Sequence, residues 1–181
     1  MIAIAMTHGF DDYRIFISSP GDLASDRQIC HDIIADVNET SAMPGKVLLV
    51  TVGLRDNAAI SGFRSAVSDN VRWSTYFVQL FEDDWGERDM FRKLFLLALE
   101  CRDNPDMPMC DVAVCVKNAP HERNPDILAF RRELEEQKNI RLIRYGTAEE
   151  LKEQFKDVCD QWASESIERA QVARQRQSPT A

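Results

Sequence analysis

The chain has 181 residues, and none of its apolar runs approaches the roughly 20 residues that a membrane-spanning helix needs. Its apolar start, residues 1–6, is short and lacks the positively charged leading region and the cleavage site of a secretion signal. Internal repeats and low-complexity segments are also missing. We therefore expect a cytoplasmic protein without a membrane partner.

The five cysteines, an odd number, follow none of the spacings of a zinc site or of a disulfide framework. Four of them, Cys30, Cys110, Cys115 and Cys159, stand in segments that we expect to be buried. Reduced core thiols of a cytosolic protein are the interpretation that this pattern favours.

The chain has few positive charges relative to negative ones, with 22 lysines and arginines against 30 aspartates and glutamates. The formal net charge is therefore -8, and such a chain repels nucleic acid unless a local basic patch overrides it. One basic cluster, 169–176, lies in a polar tail, so we predict no nucleic-acid partner. The apolar share of 44% is ordinary for a globular domain of this length.

What the sequence does contain is a regular alternation of strand-like and helical segments. Apolar, β-branched and aromatic runs occupy residues 13–18, 46–53, 75–81, 110–116 and 140–145. A helical segment follows each run, beginning near residues 22, 56, 89, 125 and 147. Five such pairs predict an α/β fold with a five-stranded parallel sheet and helices on both faces. The flavodoxin-like strand order 2-1-3-4-5 is the most economical arrangement.

Turn and capping residues between these segments set the predicted boundaries of the domain and of its helices. We predict an N-terminal extension at 1–12, a single α/β domain at 13–165, and a polar helix end with a tail at 166–181. Asp22 is predicted to cap the first helix. Pro125 suits the first turn of the fourth helix, and Thr147 and Glu150 have the spacing of a capping box for the last one.

Two loops are expected to meet between the first and third strands, where the strand order reverses. Ligands of open α/β sheets bind there, beyond the carboxyl ends of the strands. The first loop offers the hydroxyls of Ser18 and Ser19, a close backbone approach at Gly21, and the amides of the helix turn at Asp22. These residue types suit an oxygen-rich ligand, and they are also ordinary turn and cap residues.

The second loop carries Asp83, Trp85 and Gly86. Trp85 either stacks on a flat ring of a ligand or covers the end of the sheet. The adjacent acids Glu82, Asp83 and Asp84 are typical of a solvated charge run. No further carboxylate cluster is placed to complete a coordination sphere, so we predict no metal.

Motifs for phosphate binding and for nucleophilic catalysis are missing. The chain has neither a GxGxxG loop nor a Gly-Lys-Ser/Thr loop. Its three histidines, His8, His31 and His121, are scattered, and a structural role is the prediction for each. Because no serine or cysteine has an identifiable base partner, the sequence does not support nucleophilic catalysis.

The stretch RIFISSPGDLASDR, residues 14–27, resembles the opening of a TIR-like domain of unknown function that heads many STAND-type NTPases. The matching residues are Ser18, Ser19, Asp22, Leu23 and Arg27. The stretches YFVQLFEDDWG and MPMCDVAVCVK, 76–86 and 107–117, resemble the family's third strand with its Trp-Gly loop and its fourth strand. The resemblance covers roughly residues 13–162 and implies the TIR-like variant of the flavodoxin fold.

The resemblance implies one of two functions. Some TIR domains cleave the nicotinamide–ribose bond of NAD with a glutamate on the helix after strand three, whereas others only assemble with partner TIR domains. Here that helix has Arg92 and Lys93 where an acid is expected, and a cation opposes a developing ribosyl cation. The candidate catalytic residues that remain are Glu87, which precedes the helix, and Glu133, which lies on another helix.

We therefore favour a protein-interaction or signalling module, in bacterial defence or stress signalling, that docks on a protein partner or on copies of itself. Under this hypothesis we do not expect the protein to be an enzyme, and its function requires no cofactor. The alternative is an NAD(P)- or nucleotide-directed glycosidase or a nucleotide-binding sensor, with NAD or another nucleotide as its ligand. A degenerate relative that binds no ligand is the third alternative.

Overall fold

The computed structural model describes residues 6, 7, 9–53, 63–84 and 89–177. The strands are β1 Met6–Thr7, β2 Phe10–Ser18, β3 Val47–Gly53, β4 Tyr76–Phe81, β5 Asp111–Lys117 and β6 Arg141–Tyr145. The α-helices are α1 Ala24–Val37, α2 Phe63–Arg72, α3 Met90–Asp103, α4 Pro125–Glu136 and α5 Ala148–Gln177. A 3-10 turn, Gly21–Leu23, precedes α1, and a π turn, Asn38–Ala42, extends it.

The sheet confirms the predicted fold class and strand order. Its five long strands are parallel and lie side by side in the order β3-β2-β4-β5-β6, which is 2-1-3-4-5 in chain order. The short β1 was not anticipated: it pairs antiparallel with the amino end of β2, with Met6 opposite Asp11. β2 itself begins at Phe10, three residues before the predicted start.

Helices cover both faces of the sheet, as predicted. Side chains of α1 and α5 share a core with Ile15 and Ile17 of β2, whereas those of α2, α3 and α4 share a core with Phe16. This division follows from the alternation of side chains along a strand. The central strand β4 is buried along its whole length. Each fully buried aliphatic or aromatic side chain stabilises such a core by about 1.5–3 kcal/mol.

β3 is less buried than the apolar run at residues 46–53 predicted. Only Val47 and Leu49 of this strand are buried, and the residues after Leu49 are half-buried or exposed. In the described part of the chain β3 pairs with β2 alone, so it is an edge strand. The start of the helix predicted at 56–70 lies outside the described residues, and α2 is described from Phe63 onward.

Two of the three helix-capping or first-turn signals predicted from sequence are confirmed. Pro125 occupies the first turn of α4, where the Asn124 side chain accepts from the amide of Asp126. At α5 the amide of Glu150 donates to Thr147 Oγ1 at 3.2 Å, and the amide of Thr147 donates to Glu150 Oε2 at 3.3 Å. These reciprocal bonds are the predicted capping box.

The predicted cap at Asp22 is wrong. Asp22 is exposed within the 3-10 turn, and no side chain caps either that turn or α1, whose first flanking residue is Leu23. The amide of Leu23 donates instead to the carbonyl oxygen of Pro20 at 3.2 Å. A backbone hydrogen bond thus closes the turn, without a contribution from the Asp22 side chain.

α5 extends further than the apolar seam predicted. The seam of Leu151, Phe155, Val158 and Trp162 is buried, as expected, but the helix continues to Gln177. In this last part Ser166 and Ala170 are fully buried, Arg169 Nη1 donates to the Tyr76 hydroxyl at 3.0 Å, and Arg174 pairs with Asp11. The segment packs through small and charged side chains, which a hydrophobic pattern does not reveal. The domain boundaries themselves stay predictions.

The cysteines are all free thiols, and the prediction for Cys110 is wrong. Cys30, Cys115 and Cys159 are buried in the core between the sheet and α1 and α5, and Cys101 is buried on α3. Cys110 is exposed because it lies one residue before β5 begins. Burial raises the pKa of the Cys30, Cys115 and Cys159 thiols, which makes them poor nucleophiles.

Thiol labelling tests this distribution. In the native protein we expect Cys110 alone to react quickly with a disulfide reagent, and all five cysteines to react after unfolding in denaturant. Partial burial of the thiol raises the pKa of Cys110, so its labelling rate should keep rising with pH beyond the range of an ordinary thiol. Cys110→Ser should remove the fast phase, and a second fast thiol in that variant would contradict the burial of the other four.

None of the helices described in this chain combines the length and the apolar composition that crossing a bilayer requires.

Candidate functional site

The two loops predicted to meet do begin side by side. β2 and β4 are neighbours in the sheet, and Ser18, the last residue of β2, stands opposite Gln79. Gln79 Nε2 donates to the carbonyl oxygens of Ser18, at 3.4 Å, and of Leu80, at 2.8 Å. The carboxyl ends of the two strands therefore lie together at the reversal of strand order, the place where open α/β sheets form their binding crevice.

Ser18 and Gln79 form a neutral polar pair beneath this crevice. Alternation along each strand puts both side chains on the face of Phe16 and Phe77, which α2, α3 and α4 cover. Both residues are fully buried, and neither Ser18 Oγ nor Gln79 Oε1 has a hydrogen-bond partner among the described residues. A buried polar atom without a partner costs about 1–3 kcal/mol, so such a pair suits a site that a ligand completes.

A charged triad lies on the opposite face of the sheet, at the same end. Lys117, the last residue of β5, places its Nζ atom 3.0 Å from Asp26 Oδ2 of α1 and 3.9 Å from Glu82 Oε2, just after β4. Asp26 is only 7% exposed, and Lys117 is the cation that compensates its buried carboxylate. The triad links α1 to the ends of two strands.

Burial and neighbouring charges shift the pKa values of two members of the triad, Glu82 and Lys117. Burial raises the pKa of Glu82, and the neighbouring Asp83, Asp22 and Asp26 raise it further, against the opposing effect of Lys117. The hydrogen bond to Asp26 raises the pKa of Lys117. Glu82 therefore holds a proton more readily than an exposed glutamate does, which is a property of general acids.

Arg131 of α4 donates to the backbone beside the charged triad. Its Nη1 atom donates to the carbonyl oxygen of Glu82 at 2.6 Å, and its Nη2 atom donates to that of Lys117 at 2.8 Å. One guanidinium thus ties together the carboxyl ends of β4 and β5. Arg131 positions the backbone of two members of the charged triad.

A cavity of about 240 Å³ opens beside the triad, between the loops that follow β4 and β5. Its lining consists of Glu82, Asp83, Ala119, Pro120, His121 and Glu122. This volume is below the roughly 300–1,000 Å³ of pockets for whole drug-sized ligands, so it suits one fragment of a ligand. Three of its lining residues carry carboxylates.

The predicted site residues have different places in the structure. Ser18 and Ser19 are buried, and Arg27 Nη1 donates to Ser19 Oγ at 3.3 Å. Gly21 and Asp22 are exposed at the turn before α1, and Asp83 lines the cavity. Trp85, Gly86 and the candidate catalytic residue Glu87 lie outside the described residues. Their roles stay predictions.

The other candidate catalytic residue, Glu133, is exposed on α4 and does not line the cavity. On the same helix, Ile127, Phe130 and Leu134 form the buried face. Arg92 and Lys93 are exposed in the first turn of α3. Of Glu82 and Glu133, only Glu82 lines the cavity.

Sequence reasoning missed Gln79, Asp26, Lys117 and Arg131 and treated Glu82 as part of a charge run. Gln79 had a signal, since it is a polar residue inside an apolar strand. Lys117 also had one, because it ends a buried strand at the side where ligands bind. The sequence carried no such signal for Arg131.

Among the residues that the structure describes, no group of three or more histidine, cysteine, aspartate or glutamate side chains could hold a metal ion.

No protein-family model matches the chain, and no curated protein matches it in sequence. Among solved structures the chain is similar to the CMP N-glycosidase BcmB of Clostridium botulinum, at 12% identity and a TM-score of 0.46, over 78% of this chain and 95% of that one. It is also similar to a metal-soaked flavodiiron core from Synechocystis, at 12% identity and a TM-score of 0.43, over 90% of this chain and 37% of that one. Likeness at this level carries no information about ligand or reaction.

Proposed function

We propose that the chain is a TIR-like signalling domain whose crevice at the carboxyl ends of β2 and β4 binds a nucleoside or a nucleotide. The observation that carries this proposal is the Ser18–Gln79 pair, two fully buried polar side chains with open hydrogen-bonding capacity at the reversal of strand order. That reversal is where open α/β sheets bind their ligands.

The chemistry of the pair suits the polar edge of a base or the hydroxyls of a ribose. The amide nitrogen of Gln79 is committed to two backbone carbonyls, so its Oε1 atom is left as an acceptor. The Ser18 hydroxyl both donates and accepts. A ligand that carries adjacent donor and acceptor groups satisfies both atoms at once and removes their desolvation cost.

Ser18→Ala separates a ligand-binding role from a structural one. We expect affinity for the ligand to fall about tenfold, the effect of one lost buried hydrogen bond. The free energy of unfolding should stay level or rise by up to about 1 kcal/mol, because the substitution removes an unsatisfied hydroxyl. Calorimetric titration with NAD, the four ribonucleosides and their monophosphates measures the first quantity, and urea unfolding measures the second.

Ser25→Ala, an exposed position on α1, is the matched control for this experiment. It should change neither affinity nor stability. Lower stability in Ser18→Ala, together with the absence of binding by the wild type to the whole panel, would make Ser18 a structural residue and end the proposal.

Glu82 favours a second candidate function, a nucleotide-directed glycosidase. A carboxylate stabilises the oxocarbenium-like cation that forms as an N-glycosidic bond breaks. Glu82 lines the cavity, lies 3.9 Å from Lys117, and has its backbone held by Arg131. In such a hydrolysis the oxygen of water bonds to C1′ of the ribose while the bond to the base breaks, and the base leaves with a proton.

Glu82→Gln tests this candidate. If the protein is a glycosidase, the variant should release nicotinamide from NAD, or bases from nucleosides and nucleotides, at least about 100-fold more slowly than the wild type. Chromatography of the products gives the rates. Its stability at neutral pH should not fall, because burial of the ionised carboxylate is a cost that the amide avoids.

Glu136→Gln, at an exposed position near the end of α4, should keep full turnover. A wild type that releases no base rules out the glycosidase, and a Glu82→Gln variant that remains active rules out Glu82 as its catalytic carboxylate. Either result leaves the binding proposal intact.

The signalling part of the proposal requires an output through a protein partner or through self-association. Large apolar side chains of the kind that interfaces use are exposed at Met43, Trp73, Leu96, Leu128 and Val172. Trp73 is the most exposed of them at 64%, and tryptophan is enriched at interfaces. Apolar side chains at these positions are available for contact with a partner.

A further inference from the structure

We infer that two copies of this chain associate through the exposed face of α3, with the two helices antiparallel across a twofold axis. A second copy is the partner that the signalling output requires, so this inference rests on the proposed function. The contact is formed by one line of side chains, which we call the α3 stripe: Arg92, Leu96, Leu99 and Asp103.

The core of the monomer uses another face of α3. That inner face is buried together with side chains of the sheet, of α2 and of α4, through Phe91, Leu94, Phe95 and Ala98. Leu96 of the α3 stripe is 52% exposed. A single exposed leucine is common on monomeric proteins, so the charges around Leu96 decide what it can contact.

The spacing of the α3 stripe makes it continuous along the helix. Its members are separated by four, three and four residues, so they all lie on one face. Arg92, Leu96 and Asp103 are exposed, and Leu99 is half-buried. With the α-helical rise per residue, the stripe is about 16 Å long. The two leucines form its centre, and opposite charges form its ends.

The first turn of α3 carries positive charge. Arg92 and the adjacent Lys93 are both exposed there. Asp89, just before the helix, offsets one of the two cations, and residues 85–88, which lie outside the described residues, add one acid and one base. Because the dipole of a helix disfavours cations at its amino end, this charge does not stabilise the isolated helix.

The last turn of α3 carries negative charge, which the helix dipole disfavours as well. Glu100 and Asp103 are exposed there. Arg102 donates to Asp103 Oδ1 at 2.8 Å and to the carbonyl oxygen of Asn139, and its side chain is only 14% exposed. A carboxylate accepts several hydrogen bonds, so Asp103 can contact a second cation. A second α3 in the opposite orientation compensates both ends of this helix.

The antiparallel arrangement makes the α3 stripe self-complementary. Positions 92 and 103 are equally far from the midpoint between positions 96 and 99. A twofold axis through that midpoint sets Arg92 against Asp103 of the second copy. The same axis sets Leu96 against Leu99 of the second copy. Parallel helices would oppose like charges at both ends, whereas the antiparallel pair gives a closed dimer.

We expect this dimer to be weak. One helical stripe is smaller than the roughly 1,200–2,000 Å² of a stable interface. Each copy also has a formal net charge of -8, which adds repulsion between the two chains. The expected dissociation constant is about 100 μM, so that a rise in local concentration drives assembly.

Sedimentation equilibrium of the full chain, from about 5 μM to about 1 mM, tests the inference. We expect Arg92→Glu and Asp103→Arg each to weaken the homodimer at least about tenfold, because each substitution creates two like-charge contacts across the axis. An equimolar mixture of the two variants should form a heterodimer about as stable as the wild-type dimer, because both of its charged contacts then join opposite signs.

Arg132→Glu, at an exposed position on α4, is the matched control and should dimerise as the wild type does. Urea unfolding of Arg92→Glu and Asp103→Arg should show stability close to that of the wild type, since both positions are exposed. A wild type that stays monomeric throughout, or a mixture that forms no heterodimer, overturns the inference. Nucleoside titration of the same wild-type preparation then shows separately whether the proposed ligand binding stands.

Discussion

Trp162→Ala is expected to lower the free energy of unfolding by about 3–5 kcal/mol. Trp162 is fully buried, and its ring stacks on that of Tyr76 with centroids 4.5 Å apart. Its Nε1 atom donates to Asp111 Oδ2 at 2.8 Å. The substitution therefore creates a cavity and also removes one of the hydrogen bonds that Asp111 accepts. Urea unfolding followed by far-ultraviolet circular dichroism measures the change without relying on tryptophan fluorescence.

Trp73→Ala is the matched control, because the Trp73 side chain is 64% exposed. It should change stability by no more than about 0.5 kcal/mol. Trp162→Phe, at about 1–2 kcal/mol, serves if the alanine variant does not fold, since it keeps most of the buried volume and loses the hydrogen bond. Equal effects at positions 73 and 162 would contradict the packing of α5 on the sheet.

Lys117→Met is expected to cost about 2–3 kcal/mol, because it leaves the buried Asp26 carboxylate without its cation. We place the cost below that of a fully buried pair since Lys117 remains about one-third exposed. Asp26→Asn/Lys117→Met should recover at least half of the loss. If the double variant is no more stable than Lys117→Met, the unpaired charge is not the cause.

The alkaline limb of stability gives an independent check on this pair. The hydrogen bond to Asp26 raises the pKa of Lys117 in the folded protein. A cation whose pKa is raised by folding contributes its full stabilisation below its unfolded value, here 10.5, and loses it as pH rises through the folded value. The stability difference between the wild type and Lys117→Met should therefore shrink above pH 10.5.

The strand order could be predicted from sequence because local patterns and general rules of handedness determine it. Five apolar runs alternate with helical segments, and right-handed crossovers leave few arrangements for them. The meeting of the Ser18 and Glu82 loops follows directly from that order. The capping box of Thr147 and Glu150 was equally accessible, since its bonds span only three residues.

The charged triad could not be predicted, because its members come from distant parts of the chain. Asp26 and Lys117 are 91 residues apart, and only the packing of α1 against the sheet brings them together. The end of α5 was missed for a related reason: Arg169 and Arg174 pack it by pairing with polar groups of the sheet. Hydrophobic periodicity carries no record of such contacts.

The ion pair between Asp11 and Arg174 brings the two extremities of the described chain together. Asp11 is the second residue of β2, and Arg174 lies in the last turn of α5, so both ends meet at the pole of the sheet opposite the crevice. The last turn of α5 is thereby fixed to the first residues of β2, away from the loops that follow β2 and β4. Because β2 and α5 meet there, a short linker would suffice to join these two elements in a circular permutant.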